Sequence, residues 1–430
     1  ELICPISRPG QLPADHEIPV ALYGSSNRAK MKTIYREGLG LRYGRTMQTV
    51  AGLHYNFSLP RSFWAFLHQQ EPNTQSLEAF TTDKYFHLIR NFRRYYWLLI
   101  YLLGASPTVD ASFVKNRPHN LTKMSQNTLG LPYATSLRMG DLGYQSNAQS
   151  ELFVCYNALS TYTATLNKAI QTPYPAYEHL GTGDVKQLNT SLLQIENEFY
   201  SPIRPKRTAH TGETALTALC NRGVEYLEIR CLDLDPFEPT GISRETIRLL
   251  DTFLLYCLFL PSPACDAQEF SNTAKNQRAV VTEGRKPGLT LIEKNNNERP
   301  LQAWALDLLD AMTPIASLLD DAAHQDGSYA CAIKSAQQHM TSPELLPSAK
   351  IMQHISNGMS HVEFGLQQAK AHKATFENKP LSSALLKRYS DTAAQSLQQQ
   401  KEEDEQKQEP FEQYLADYYK QYADCCTEHM

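Results

Sequence analysis

Three stretches with a residue period of two constrain this chain more than any other feature of it. In 46–60, Ala51, Leu53, Tyr55, Phe57 and Leu59 face one way, and Gln48, Val50, Gly52, His54, Asn56 and Ser58 face the other. Successive side chains of a strand point to opposite faces, so the pattern predicts a half-buried strand. A second strand is expected over Leu192–Tyr200, with Leu193, Ile195, Asn197 and Phe199 opposing Gln194, Glu196, Glu198 and Tyr200. A third is expected over Val224–Leu234, where Leu227, Ile229 and Cys231 oppose Tyr226, Glu228 and Arg230.

The remaining periodic segments read as helices. Residues 77–103 carry an apolar stripe with Asp83 as the expected N-cap and a stop at Gly104. A further helix runs from the N-cap Ser243 to Leu260, ahead of Pro261. From about residue 300 onward the spacing of Trp304, Leu308, Leu309 and Met312 is helical. Strands and helices do not alternate regularly, so an α+β fold with an antiparallel sheet is expected over a doubly wound one. The expected division is an α+β unit over 1–295 and a helical region over 296–430. The low-complexity stretch 395–411 is read as a solvated helix or a disordered segment, followed by a helix over 411–422 that docks back on the body.

Charge and apolar runs exclude some partners. With 41 basic and 45 acidic residues, no strong field favours nucleic acid or an anionic membrane. The longest apolar runs, Tyr95–Leu103 and Phe253–Leu260, fall well short of the roughly 20 residues that a membrane span needs. No signal-peptide pattern opens the chain, and the nine cysteines show no repeated CxxC spacing. Reduced thiols in a cytoplasmic protein are expected. There is no P-loop, no GxGxxG before a helix, no HExxH and no nucleophile elbow.

The polar strand faces hold His, Glu, Arg and Tyr, and converging carboxylates and imidazole suit a divalent cation. His54 reads either as a hydrogen-bonded sheet histidine or as a ligand. Glu228 and Arg230 sit side by side on one face, as a surface ion pair or as a metal-holding carboxylate beside a phosphate-neutralising arginine. Arg204, Lys206 and Arg207 fall in a segment stiffened by Pro202 and Pro205, as a solvated cluster or as phosphate contacts.

Six blocks carry a resemblance. They are 32–39 (KTIYREGL), the 46–60 stretch, 131–144 (LPYATSLRMGDLGY), 194–207 (QIENEFYSPIRPKR), 225–237 (EYLEIRCLDLDPF) and 283–291 (EGRKPGLTL). In this order they closely resemble the proteobacterial glutamate–cysteine ligase family, strongly over about residues 1–290 and weakly beyond. The resemblance implies a glutamine-synthetase-like antiparallel sheet curved into a funnel, with surrounding helices. It implies ATP-dependent ligation of L-glutamate to L-cysteine through γ-glutamyl phosphate, the first step of glutathione biosynthesis, by a monomer using Mg2+, or Mn2+ in its place.

Carried over by position, His54 and Glu228 resemble metal ligands, and Arg230 and Arg138 catalytic arginines. Tyr35, Arg36, Gln48, Val50, Tyr144 and Tyr200 resemble substrate contacts, and Arg204 and Lys206 contacts to ATP. The family has an earlier strand with a Glu-x-Glu pair and a further Glu, and this chain is expected to lack that segment. Cys4 and Arg8 stand where a Trp and a Met are expected, which puts the packing of the opening segment in question. Two other readings stay open: an inactive or subunit-dependent remnant, and a related carboxylate–amine ligase with another amine acceptor.

Overall fold

The computed structural model describes residues 1–115, 117–142, 147–150, 152–324 and 327–424. After an irregular opening segment, α1 (Asn27–Tyr43) starts where the Ser26 hydroxyl accepts the Ala29 amide. It stops at Gly44, whose φ of 86° lies in the left-handed region that favours glycine. A 3-10 turn over Arg45–Thr49 leads into β1 (Leu53–Phe57), so the first expected strand is shorter than its alternation. Gln48 and Val50 therefore sit on or beside that turn, not in the strand.

Next come α2 (Arg61–Gln70), α3 (Leu77–Tyr95) and α4 (Trp97–Leu103). The single helix expected over 77–103 is thus broken at Tyr96, and its cap is Ser76, which accepts the Ala79 amide, instead of Asp83. The stop at Gly104 is as expected. A small sheet follows, built from β2 (Thr108–Asp110), β3 (Thr122–Ser125) and β4 (Thr128–Gly130), with α5 (Ala111–Val114) between β2 and β3. Then come α6 (Asn147–Ser150) and α7 (Leu159–Gln171).

The second expected strand does not form. Residues 196–198 are a 3-10 turn, and the strand lies later, as β5 (Ile203–Lys206), in the segment that holds Pro202 and Pro205. The cause is local. Both Glu196 and Glu198 are buried, and the Glu198 carboxylate takes the Gln194 amide at 2.7 Å, a side-chain bond that competes with a strand ladder. After α8 (Ala215–Arg222), β6 (Tyr226–Leu232) forms as its alternation predicts, with Leu227, Ile229 and Cys231 buried.

β6 is the middle of a three-stranded antiparallel sheet of order β1–β6–β5. Its buried face packs against the helical layer that includes α3, α4 and α9 (Arg244–Phe259, capped by Ser243 as expected). The chain continues through α10 (Ala267–Glu283), the hairpin β7 (Thr290–Ile292) and β8 (Glu298–Pro300), and the helices α11 (Leu301–Ala323), α12 (Ser328–Thr341), α13 (Pro347–Ser356) and α14 (His361–Glu377). One hydrophobic cluster runs from Phe57 through Phe92, Trp97, Phe253 and Met312 to Tyr422, so α11 and α12 share the core of the sheet, whereas Ile351 and Ile355 of α13 and Phe364 of α14 pack in a separate cluster with Ile6 and Ala105. Each such fully buried side chain is worth about 1.5–3 kcal/mol relative to exposure. α15 (Ser383–Glu405) has no buried residue, as its polar composition implies. α16 (Phe411–Asp424) returns to the body and buries Tyr422. The fold is α+β with antiparallel sheets and a helical later region. Cys4, Cys155, Cys231, Cys257, Cys265 and Cys331 are free thiols, but Cys220 is disulfide-bonded, against the expectation of reduced cysteines throughout.

Candidate active site

The polar face of β1–β6–β5 forms the floor of a cavity of about 950 Å³. His54, Arg204, Lys206 and Arg230 line it from the sheet, and α1 with the turn after it adds Tyr35, Arg36, Gln48 and Val50. Arg138, Asn197, Glu198 and Tyr200 complete its inner wall.

β-sheet register brings the chemistry together. The β1–β6 pairing slips between Leu53 and Tyr55, so His54 occupies an irregularity in the ladder. Its Nδ1 lies 3.3 Å from Glu228 Oε1, and Arg230 Nη1 lies 3.0 Å from Glu228 Oε2. Burial pushes the Glu228 carboxyl up. The His54 hydrogen bond and the charges of Arg230 and Lys206 outweigh it and hold the group well below the usual carboxylate range. Across the other pairing Arg204 stands opposite Glu228, which puts a second guanidinium on the same face.

Three cations thus crowd one wall. Arg204 is buried, and one of its terminal nitrogens, Nη2, is held by the carbonyls of Asn197 and Phe199. Its Nε and that of Arg230 are buried with no hydrogen-bond partner among the described residues. Burial lowers the Lys206 pKa, and the neighbouring arginines add to the effect against the pull of Glu228. A cluster of like charges with unused N–H donors favours an anion with several oxygens, such as a polyphosphate.

Arg138 is fixed from behind. Its Nε donates to Asp233 Oδ1 at 2.6 Å, and its terminal nitrogens reach the Arg230 carbonyl at 3.3–3.4 Å. Asp233 also takes the Ala105 amide and the Ser106 hydroxyl. Gly52 allows this packing, because a Cβ there would stand 2.6 Å from Arg138 Nη1. Arg8, which stands where a Met was expected, lies against the 3-10 turn Leu137–Met139 that carries Arg138. It is fully buried, stacks 4.6 Å from the Phe113 ring centroid and donates to the Leu137 carbonyl. Burial lowers its pKa to about 9. Gln48 Nε2 donates to the Arg36 carbonyl, which ties the turn to α1. The Tyr200 hydroxyl contacts Met139 Sδ at 3.2 Å. Tyr144 lies outside the described residues.

Four wall residues escaped the sequence reading. Arg42, Tyr43, Tyr177 and Glu198 line the same cavity, and Arg42 and Glu198 form an ion pair of 2.8 Å between fully buried side chains. Asp233 was missed as well, although it continues the alternation of Leu227, Ile229 and Cys231 and so puts a carboxylate on an apolar face. That misplaced charge was the available signal.

Among the described residues no group of three or more His, Cys, Asp or Glu side chains is placed to hold a metal ion. His54 and Glu228 are a pair. Two donors fit a hard cation that takes one or two protein ligands, keeps waters and shares substrate phosphates.

Residues 1–280 match the family model described as glutamate-cysteine ligase. A glutamate–cysteine ligase of Saccharophagus degradans is 51% identical over 432 residues, which cover 99% of this chain and 81% of that protein. One from Pseudomonas entomophila is 47% identical over 96% of this chain and 78% of its own length. The crystal structure of a glutamate–cysteine ligase from Francisella tularensis in complex with AMP superposes with a TM-score of 0.90 at 34% identity, covering 99% of this chain and 83% of that one.

Proposed function

The chain belongs to the glutamate–cysteine ligase family, and from that premise we propose how its cavity joins the γ-carboxylate of L-glutamate to the amine of L-cysteine at the expense of ATP. The observation that carries the reading is the convergence of His54, Glu228, Arg230, Arg204 and Lys206 on one sheet face.

The triphosphate lies along Arg204 and Lys206, where positive charge faces the cavity. His54 and Glu228 would hold Mg2+, or Mn2+ in its place. When bound, that ion neutralises phosphate charge and aligns the γ-phosphoryl group. The glutamate γ-carboxylate attacks this phosphoryl group, the bond to the β–γ bridging oxygen breaks and ADP departs, and Arg230 and Arg138 stabilise the charge that develops on the transferring group. The cysteine amine then attacks the acyl phosphate carbon, an amide bond forms and inorganic phosphate departs. Tyr35, Val50 and Tyr200 wall the acceptor, while Arg36 and Gln48 contact the substrate amino acids. Burial raises the Tyr35 pKa, so its phenol stays protonated and serves as a hydrogen-bond donor.

We assign catalysis to residues 1–295, with 296–430 packed on them, and take the enzyme to work as a cytoplasmic monomer. No described helix is long and apolar enough to cross a membrane. The test is phosphate release in the presence of ATP, Mg2+ and glutamate, with and without cysteine. Release that requires cysteine is expected. Release that is indifferent to cysteine but responds to another amine would overturn the choice of acceptor.

A further inference from the structure

α16 lies far beyond the residues matched by the family model, yet it closes a ring of hydrogen bonds behind the cavity. The Tyr419 hydroxyl donates to the Gln194 carbonyl at 2.8 Å, and the Gln194 amide donates to Glu198 Oε2 at 2.7 Å. Glu198 Oε1 takes Arg42 Nη1 at 2.8 Å and the Tyr43 hydroxyl at 2.5 Å. Arg42 Nη2 donates to the Asn189 carbonyl at 2.7 Å, and Asn189 Nδ2 donates to the Tyr419 hydroxyl at 2.7 Å, which completes the ring.

All three nitrogens of Arg42 donate within this bracket. Its Nε goes to Gln187, and its guanidinium lies 4.2 Å from the Tyr177 ring centroid. Arg42 lines the cavity with each of its three nitrogens already held by the protein, so its part is to hold the wall. The ring also reaches Tyr200, because Gln149 Nε2 donates to the Glu198 carbonyl and its Oε1 takes the Tyr200 amide. A second tyrosine of α16, Tyr422, donates to Glu196, whose other oxygen takes the Ala215 amide. Packing fixes the helix in place. Tyr414, Leu415, Tyr418 and Tyr419 cover Met31 and Ile34 of α1, together with Leu188 and Ile195.

We propose that Tyr419 and Tyr422 are positioning residues for the ligase reaction, setting the acceptor side of the cavity through the Gln194–Glu198 turn and the Glu198–Arg42 pair. The proposal rests on the ligase reading for its kinetic consequence and on geometry alone for the clamp. A phenol hydroxyl is removed without loss of the ring, so Tyr419→Phe and Tyr422→Phe preserve the packing face.

The experiment is amide hydrogen exchange on the whole chain without substrates, paired with kinetics. Net hydrogen bonds of this kind are worth a factor of about five to ten in a local equilibrium. Exchange over 194–200 and at the end of α1 is therefore expected to quicken about fivefold in Tyr419→Phe, with α3 and α9 unchanged. KM for cysteine is expected to rise at least about threefold, with kcat and the KM for ATP within about twofold of wild type. Glu198→Gln, which cannot satisfy the same donors, is expected to give the same pattern more strongly. Wild-type exchange over 194–200 in Tyr419→Phe overturns the clamp. A fall in kcat with no change in KM overturns the positioning role. Wild-type phosphate release that does not need cysteine counts against the ligase reading instead, and the exchange result is independent of it.

Discussion

The Asp233 carboxylate and the Arg138 guanidinium meet at 2.6 Å, and neither side chain is more than 3% exposed. Removing one partner of a buried pair leaves a desolvated charge and typically costs about 3–5 kcal/mol. Asp233→Asn is therefore expected to lower unfolding stability by about 3 kcal/mol in denaturant titration and to raise the KM for glutamate. Stability within about 0.5 kcal/mol of wild type would show that Arg138 finds another partner.

Gly52 makes a separate prediction about the same guanidinium. Its Cβ would stand 2.6 Å from Arg138 Nη1, closer than real contacts allow. In Gly52→Ala the arginine must leave its place, and kcat/KM is expected to fall at least about tenfold, because small misplacements in a site are costly. The fold should survive, since the strained neighbour is a side chain rather than backbone. Full activity in this variant would remove Arg138 from the chemistry.

Two groups on the sheet give the pH dependence the same sign in two separate windows. Glu228 is held below the usual carboxylate range, so the stability it contributes is present above the ordinary carboxylate pKa and disappears as pH falls through its folded value. Lys206 is depressed, chiefly by burial. Between its folded and unfolded pKa values the unfolded chain binds more protons, so stability rises with pH across that window. The same deprotonation removes a cation from the triphosphate site. The KM for ATP is therefore expected to climb at lower alkaline pH than an ordinary lysine would cause, and Lys206→Arg is expected to move that limb upward. An unchanged limb in the arginine variant would detach Lys206 from ATP.

Glu228→Gln keeps the shape and removes the charge. Even groups behind a metal's own ligands are worth about 10–100-fold in metal affinity. The variant is expected to need at least about tenfold more Mg2+ for half-maximal turnover. A wild-type Mg2+ titration would show that Glu228 is only the ion-pair partner of Arg230.

The sheet was legible where one face meets water. Leu227, Ile229 and Cys231 had to turn inward together, which put Glu228 and Arg230 on the opposite face, where Arg230 lines the cavity. The same rule failed at 192–200, because Glu196 and Glu198 are buried and satisfied by groups the local pattern does not contain: Tyr422 of α16, the Ala215 amide and Arg42 of α1. Arg42, Glu198 and Asp233 stayed hidden for one reason. Their roles are set by partners roughly 100 or more residues away, and charge on a single sequence reads as solvated surface. Tyr43 and Tyr177 carry no motif at all, and only the closed wall shows what they do.

In the proposed mechanism phosphate leaves from a γ-glutamyl phosphate formed over the His54–Glu228 pair. The most direct measurement uses glutamate labelled with 18O in the γ-carboxylate, with ATP, Mg2+ and cysteine, and mass analysis of the inorganic phosphate released. Direct attack of that carboxylate on the γ-phosphoryl group predicts one labelled oxygen in each phosphate. Phosphate free of label would mean that water, not glutamate, takes the phosphoryl group, which contradicts an acyl phosphate intermediate.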